Sequence, residues 1–191
     1  MKKINKKIIA VCSVIFLIFI VIFGVFCSGS SIFSDAFKNQ PETQSEILEL
    51  QYKITKKDKV LKNLCNSLQM VSNGNQSNEH LEKLVLYSEM YLKNDDVFDC
   101  SLYGQYIMAL SKLSEHEALK VESKNFLVKC SSEKDFQILY MSLLAIKEEG
   151  SQKDKDYVKT FAKEIIDGSY LNANSEEKYK ELESKYMNLA E

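Results

Sequence analysis

Arginine and tryptophan are absent from this chain of 191 residues, and proline occurs once, as Pro41. All 25 basic residues are therefore lysines, a bias that, together with abundant asparagine, is typical of an AT-rich bacterial genome. Arginine is the preferred side chain for bidentate contacts with phosphates and bases, so its absence argues against sequence-specific nucleic-acid recognition. We therefore expect no nucleic-acid partner.

Charged residues are missing from residues 8–34, and the first part of this stretch is strongly apolar. Residues 8–27 contain 18 apolar residues in 20, interrupted only by Ser13 and Gly24. A helix of twenty residues, at about 1.5 Å per residue, is roughly 30 Å long, which matches the hydrocarbon layer of a bilayer. The run predicts a single transmembrane helix over residues 8–27, with membrane lipid as a partner.

The distribution of charge around this run predicts its orientation. Four lysines precede the run and all 27 acidic residues follow it, which leaves 21 lysines and a net charge of −6 on the later part of the chain. By the positive-inside rule, residues 1–7 are a cytoplasmic basic tail and the later residues are extracytoplasmic. One alternative is a cleaved signal peptide, for which this apolar core is too long. The other is lipid attachment at Cys27, which follows the bulky Phe26.

The rest of the chain is predicted to be helical. Residues 28–41 form a linker, and from residue 42 onward proline is missing, threonine and valine are sparse, and apolar residues recur at spacings of three and four. The predicted helices span 42–72, 77–93, 96–113, 115–130, 133–149, 151–167 and 174–190. Short turns imply antiparallel neighbours. We therefore expect residues 77–191 to form an extracytoplasmic helix-hairpin domain, as a right-handed bundle or a short solenoid.

Capping patterns support these helix boundaries. A polar N-cap side chain accepts the N–H of the third helical residue, and an acid at that residue reaches back to the N-cap N–H. The matching pairs are Thr43 with Glu46, Asp96 with Asp99, Ser114 with Glu117, Ser132 with Asp135, Ser151 with Asp154 and Asn174 with Glu177. Gly74, Gly150 and Gly168 fall where apolar runs end, as expected for residues that tolerate the left-handed conformation that closes a helix.

The predicted helix over residues 42–72 carries a heptad seam. Alternating steps of three and four residues connect Ile47, Leu50, Ile54, Lys57, Leu61, Leu64, Leu68 and Val71. One charged position and a small number of heptads favour packing of this helix on its own domain. The alternative is a stalk that forms a homo-oligomer through residues 47–71.

Helix pairs recur weakly at intervals of 35 and 39 residues. The pattern of large and small residues is shared by Leu84, Tyr87, Ser88 and Tyr91, by Leu119, Glu122, Ser123 and Phe126, and by Val158, Phe161, Ala162 and Ile165. On these residues, the region 78–191 resembles a tetratricopeptide-repeat solenoid. It departs from that family because Glu122 occupies an apolar position and the repeat ends lack proline. The resemblance implies a scaffold that binds a peptide or partner protein along stacked helices, and it implies no catalytic residue.

Residues that could carry catalysis or bind metal are few. The two histidines are His80 and His116, and the strongest metal-like string is Glu-His-Glu at residues 115–117. Adjacent residues on a helix point about 100° apart, so we assign these acids to the positive end of a helix dipole instead. The aspartates between residues 95 and 99 lack the glycine and the terminal glutamate of an EF-hand loop. We therefore predict no metal, cofactor or catalytic site.

Five cysteines occur, and none has the CxxC spacing of a redox or zinc motif. Cys12 and Cys27 fall in the apolar run. Cys65, Cys100 and Cys130 lie in apolar stretches of predicted helices, where cysteine behaves as a small hydrophobic residue. A disulfide between Cys100 and Cys130 is the alternative, and it would leave Cys65 single.

Tyrosines at helical spacing complete the set of candidate binding residues: Tyr87, Tyr91, Tyr103, Tyr106 and Tyr140. We expect most of them to pack between helices and some to line a protein-binding groove, where tyrosine is favoured. The functional hypothesis is a non-enzymatic, membrane-anchored extracytoplasmic scaffold or adaptor that binds other proteins. The alternative is a structural subunit of a bacterial envelope complex for secretion, division or sporulation.

Overall fold

Helices form most of the chain in a computed structural model that describes residues 6–74, 77–93, 98–168 and 170–191, with side chains from Ser13 onward. The described helices are α1 Lys6–Cys27, α2 Ile32–Asp35, α3 Pro41–Thr55, α4 Asp58–Gly74, α5 Asn78–Leu92, α6 Cys100–Lys112, α7 His116–Lys129, α8 Glu133–Glu149, α9 Gln152–Asp167 and α10 Glu176–Ala190. These residues contain no strand, so the predicted all-α class is confirmed.

Helix α1 coincides with the apolar run, but the predicted transmembrane helix over residues 8–27 is corrected. Within the described part of the chain, no helix combines the length and the apolar character needed to cross a bilayer.

The chain divides into two compact units, with the boundary between Ser67 and Leu68 inside α4. In the first unit, the connector after α1 is fixed to the side chains of α3. Gln51 is buried and donates from Nε2 to the carbonyl oxygens of Phe26, at 2.8 Å, and Ser30, at 3.1 Å. Residues 28–41, predicted to be a linker, thus contain the short helix α2 and make specific contacts.

Gly29 is required by the turn that follows α1. Its φ is +76°, and an added Cβ would lie 2.9 Å from Cδ of Lys57 and 3.3 Å from Cγ2 of Val60. Lys57 also donates from Nζ to the carbonyl oxygen of Ser28 at 2.5 Å. The left-handed conformation and the close approach both favour glycine at this position.

The single helix predicted over residues 42–72 is wrong, because the chain turns between α3 and α4. Lys56 closes α3 in the left-handed conformation, with φ of 52°, and its N–H donates to the carbonyl of Tyr52 at 2.8 Å. The heptad seam is therefore divided. Leu50 and Ile54 remain exposed, whereas the later members of the seam are buried. The buried members are Leu61, Leu64, Leu68 and Val71.

The second unit is organised around α6 and α8. Helix α6 contacts α5, α7 and α8, and helix α8 contacts α7, α9 and α10, while α9 and α10 pack on each other. The largest fully buried side chains of this unit are Leu68, Leu102, Ile107, Leu110, Leu119, Phe126, Phe136, Phe161 and Tyr186. The Tyr186 hydroxyl donates to the carbonyl of Phe136 at 2.8 Å, which fixes α10 to the start of α8.

Small residues lie where helices approach closely. The three small positions of the weak repeat, Ser88, Ser123 and Ala162, are fully buried. On α6, a Cβ added to Gly104 would lie 2.8 Å from Cδ1 of Ile138 on α8. The packing agrees with the spacing argument for small residues, and the resemblance to tetratricopeptide repeats stays a prediction.

Two of the six predicted capping boxes are confirmed. They are Ser132 with Asp135 at α8 and Ser151 with Asp154 at α9. Gly150 and Gly168 follow the last residues of α8 and α9 as predicted. Their φ angles of −73° and −75° lie outside the left-handed region, so these helices end without the conformation that the glycines were expected to supply.

The other capping predictions are corrected or lie outside the described residues. Asp99 itself caps α6, and Ser175 caps α10 in place of the preceding asparagine. Thr43 lies inside α3, which begins two residues earlier. Ser114 has a positive φ of 56° and donates to a glutamate of α8 instead. Asp96 lies outside the described residues. In each corrected pair the helix begins one or more residues away from the predicted start.

Candidate functional site

A disulfide joins the start of α6 to the residue after α7. Cys100 and Cys130 are 30 residues apart in sequence, and their Cα atoms are 5.7 Å apart. Consecutive α6 and α7 are in contact, so the start of one lies beside the end of the other. The interpretation of these two cysteines as isolated small hydrophobic residues is corrected, and the alternative is confirmed. Cys65 is buried and lies outside this disulfide.

Asp135 lies beside the disulfide. One of its carboxylate oxygens and the two sulfurs are within 4.8 Å of one another. Bonded sulfurs are not thiolates, and the thiolate is the form of cysteine that binds metal. The carboxylate also accepts hydrogen bonds from the N–H of Ser132 at 2.9 Å and from its hydroxyl at 2.6 Å. In this state the cluster stabilises the start of α8.

The Glu-His-Glu string does not converge on one point. His116 Nδ1 lies 3.9 Å from Asp154 Oδ2, whereas Glu117 pairs with Lys120 at 2.6 Å. Lys120 and Asp154 are each 8% exposed, and Lys120 Nζ lies 2.7 Å from Asp154 Oδ1. The hydrogen bond from Lys120, followed by that from Ser151, holds the pKa of Asp154 well below its usual range. This group of residues connects α7 to α9.

The remaining polar candidates stabilise helix starts. His80 Nδ1 lies 2.9 Å from the hydroxyl of Ser77, the N-cap of α5. Asp99 accepts the backbone N–H groups of Ser101 and Leu102 at the start of α6. Asp95 lies outside the described residues. His80 and Asp99 therefore act in capping.

An aromatic cavity of about 270 Å³ opens between the end of α5, the start of α6 and one side of α7. Its lining combines three aromatic rings with two carboxylates and two lysines. The lining residues, called the aromatic pocket below, are Glu89, Leu92, Lys93, Phe98, Tyr103, Tyr106, Glu122, Asn125 and Lys129. The disulfide fixes the start of α6 to the end of α7 beside Lys129, so it stabilises two walls of the aromatic pocket.

The negative charge of the aromatic pocket belongs to its glutamates. The Tyr103 hydroxyl donates to Glu122 Oε2 at 2.5 Å. Burial and that hydrogen bond raise the pKa of Tyr103. Burial, with smaller contributions from the charges of Glu122 and Glu89, raises the pKa of Tyr106 to about 12. Both phenols are therefore protonated at neutral pH.

A second cavity, of about 410 Å³, lies mainly between α6 and α8. Met108, Ile138 and Met141 supply its apolar lining, and Lys134 is its one charged residue among those described. Methionine side chains are flexible and adapt to different contact surfaces. This methionine groove, like the aromatic pocket, offers a binding surface without a set of catalytic groups among the described residues.

Sequence reasoning found part of the aromatic pocket. The spacing of Tyr103 and Tyr106 predicts that they pack between helices or line a groove, and they line this cavity. Phe98 and Lys129 were missed, because they lie just outside α6 and at the last residue of α7. The sequence feature that could have indicated this pocket is Glu122, because it is an acidic residue at an apolar position of the weak repeat.

Comparison with known protein families, with curated proteins and with solved structures finds no match to this chain. The arguments for its function therefore come from the geometry and chemistry of the described residues.

Proposed function

We propose that this chain is a non-enzymatic helical scaffold that contacts membrane lipid through α1 and binds a partner protein through its second unit. The observation that carries the proposal is the apolar surface of α1. The ten consecutive residues from Val14 to Phe23 are all large and apolar, and each is at least 49% exposed. Soluble monomers rarely expose contiguous apolar patches of more than a few hundred Å².

Lipid suits this surface better than a protein groove does. Successive residues of a helix point about 100° apart, so ten consecutive apolar residues cover every direction around α1. A protein groove covers one face of a helix, whereas acyl chains can surround it. A helix that is apolar on all sides requires apolar surroundings. Contact with lipid would therefore remove the largest exposed apolar surface among the described residues from water.

The second unit has features that favour an extracytoplasmic binding role. Disulfides such as Cys100–Cys130 persist mainly in oxidising compartments and are rare in the cytosol. The aromatic pocket and the methionine groove supply contact surfaces on paired helices. Tyrosine and methionine are enriched where proteins bind one another. These features support partner binding on the outer side of a membrane.

Flotation with lipid vesicles tests the lipid contact. The full chain would be synthesised cell-free in the presence of neutral phosphatidylcholine vesicles and centrifuged through a density gradient. We expect it to float with the vesicles. A variant with Phe16→Ser, Phe19→Ser and Phe23→Ser should remain with the dense fractions, because it exposes polar groups to the acyl chains.

A matched variant controls for general loss of apolar surface. Val121, Val128 and Met187 lie on the second unit and are 60%, 83% and 54% exposed. Replacing these three residues by serine should leave flotation unchanged. The proposal is contradicted if the unaltered chain stays in the dense fractions, or if the two triple variants lose flotation equally.

A further inference from the structure

We propose that the aromatic pocket receives a cationic side chain, lysine or arginine, from the partner protein. This inference rests on the partner-binding part of the proposed function and specifies its chemistry. The cavity volume of about 270 Å³ is below the roughly 300 to 1,000 Å³ of typical small-molecule sites. A space of this size suits one anchoring side chain.

Aromatic rings supply one half of the recognition: Phe98, 42% exposed, presents the accessible ring, and Tyr103 and Tyr106, 4% and 6% exposed, pack behind it. The ring centroids of Phe98 and Tyr103 are 5.7 Å apart, with an interplanar angle of 76°. Those of Tyr103 and Tyr106 are 6.1 Å apart, with an interplanar angle of 29°. Aromatic faces attract a cation within about 6 Å of the ring centroid. The aromatic pocket already shows this chemistry, because Lys129 Nζ lies 4.9 Å from the centroid of Phe98.

The carboxylate of Glu122 supplies the other half. It accepts a hydrogen bond from the hydroxyl of Tyr103. Among the described residues, no lysine or histidine forms an ion pair with Glu122. Glu89, by contrast, pairs with Lys93 at 2.8 Å. Glu122 is a partly buried charge next to aromatic rings and lacks an ammonium partner within the described chain. A cation from outside would compensate that charge and would form a charge-assisted hydrogen bond.

An anionic ligand fits the site less well. Lys93 and Lys129 lie at the aromatic pocket, but one pairs with Glu89 and the other lies over Phe98. An anion would have to draw both lysines from these contacts and would approach the carboxylate of Glu122, whereas a cation replaces only the exposed Lys129 on Phe98 and pairs with Glu122. Like charges at close range repel in a partly buried site. The geometry therefore favours a cation over a phosphate or a carboxylate.

Titration with small blocked amino acids tests the inference on the full chain in neutral detergent micelles. The cationic probes are N-acetyl-lysine methylamide and N-acetyl-arginine methylamide. The neutral and anionic comparisons are the norleucine and glutamate equivalents. We expect the cationic probes alone to shift the ring signals of Tyr103 and Tyr106 in NMR spectra in a saturable way.

Two variants connect that binding to the aromatic pocket. Glu122→Gln should lower the affinity for the cationic probes by at least about tenfold, because this substitution removes the charge-assisted contact. Phe98→Leu tests the contribution of the aromatic ring to cation binding. Phe98 is 42% exposed, so this substitution does not disturb the core. Glu177→Gln, an exposed change on α10, is the matched control and should bind as the unaltered chain does.

The inference is overturned by equal shifts with the neutral or anionic probe, or by no saturable shift with either cation. Unchanged affinity in both Glu122→Gln and Phe98→Leu would overturn it as well. This experiment uses no vesicles, and flotation does not involve the aromatic pocket, so the failure of one proposal is distinguishable from the failure of the other.

Discussion

Two buried serines allow helices to pack closely, but each places a polar hydroxyl in the core. Ser88 and Ser123 occupy the small position of the weak repeat, and both are fully buried. Their hydroxyl oxygens have no hydrogen-bond partner among the described residues. A buried hydroxyl without a partner destabilises a protein by about 1 to 3 kcal/mol. Small size, rather than hydrogen bonding, therefore explains serine at these positions.

Substitution of Ser123 separates the two effects. Ser123→Ala keeps the small size and removes the unsatisfied hydroxyl, so we expect the free energy of unfolding to be unchanged or to rise by up to about 1 kcal/mol. Ser123→Leu should lower it by about 1 to 3 kcal/mol, because the added atoms overpack the contact between helices. Denaturant unfolding followed by circular dichroism measures both. Clear destabilisation by alanine would show that the hydroxyl has a partner.

The Lys120–Asp154 pair predicts a pH dependence. The pKa of Asp154 is lower in the folded protein than its usual value near 3.9. The contribution of Asp154 to stability is therefore complete above that value and is lost as the pH falls toward the folded-state pKa. We expect the Tm of the unaltered chain to decrease as the pH is lowered from about 5 to about 3. Lys120→Met should lower the Tm at neutral pH by several degrees and reduce this dependence.

Melting curves from neutral pH to about pH 2.5 make that comparison. Lys153→Met changes an exposed lysine in the first turn of α9, close to Asp154 in sequence, and should keep the pH dependence of the unaltered chain. Identical pH slopes for Lys120→Met and the unaltered chain would contradict the assignment of Lys120 as the cause of the lowered pKa.

At the scale of helices, the apolar periodicity was the most dependable signal. Helices α5 to α10 begin and end within a few residues of the predicted boundaries, because each combines an apolar stripe with a polar turn. The turn at Lys56 was missed, because lysine has no preference for the left-handed conformation and no glycine or asparagine lies beside it. Asp58, in the first turn of α4, was the available signal for a new helix.

The divided seam changes how residues 47–71 can contribute to assembly. A continuous coiled coil needs one helix through the whole seam, and the chain turns at Lys56. Leu50 and Ile54 are 55% and 47% exposed, so the first half alone presents apolar members of the seam at the surface. Oligomerisation through the entire segment therefore lacks its structural basis in this conformation.

The capping box at α8 predicts a difference between neighbouring serines. The Ser132 hydroxyl accepts the N–H of Asp135, whereas the adjacent Ser131 is exposed and lies outside the helix. We expect Ser132→Ala to lower the free energy of unfolding by about 0.5 to 2 kcal/mol, the usual effect of losing an N-cap. Ser131→Ala should change it by less than about 0.5 kcal/mol. Equal effects in denaturant unfolding would contradict the capping role.

At the scale of the whole molecule, the candidate site depends on contacts that local patterns do not specify. Tyr103 and Tyr106 are three residues apart on one helix, so their shared face was predictable. Phe98 and Glu122 join them only because α5, α6 and α7 pack together. The same packing decides between the two interpretations of Cys100 and Cys130, which spacing alone left open.

The disulfide should contribute to the stability of the second unit. It closes a segment with a sequence separation of 30 residues. Loop-closure entropy for such a length corresponds to about 3 to 4 kcal/mol. We expect the double variant Cys100→Ser, Cys130→Ser to unfold at lower denaturant concentration. Reductant should shift the unaltered chain toward the variant and leave the variant unchanged. A reductant effect of equal size on both proteins would contradict this assignment.

Contact between α1 and lipid is the central claim, and the absence of native tryptophan allows a direct measurement. Phe19→Trp places one fluorophore in the exposed apolar stretch of α1, and Val128→Trp places one at an exposed position of α7. In vesicles that contain brominated phosphatidylcholine, we expect quenched, blue-shifted emission from Phe19→Trp and unquenched emission from Val128→Trp. Unquenched emission from Phe19→Trp, at the wavelength of a tryptophan in water, would contradict the account.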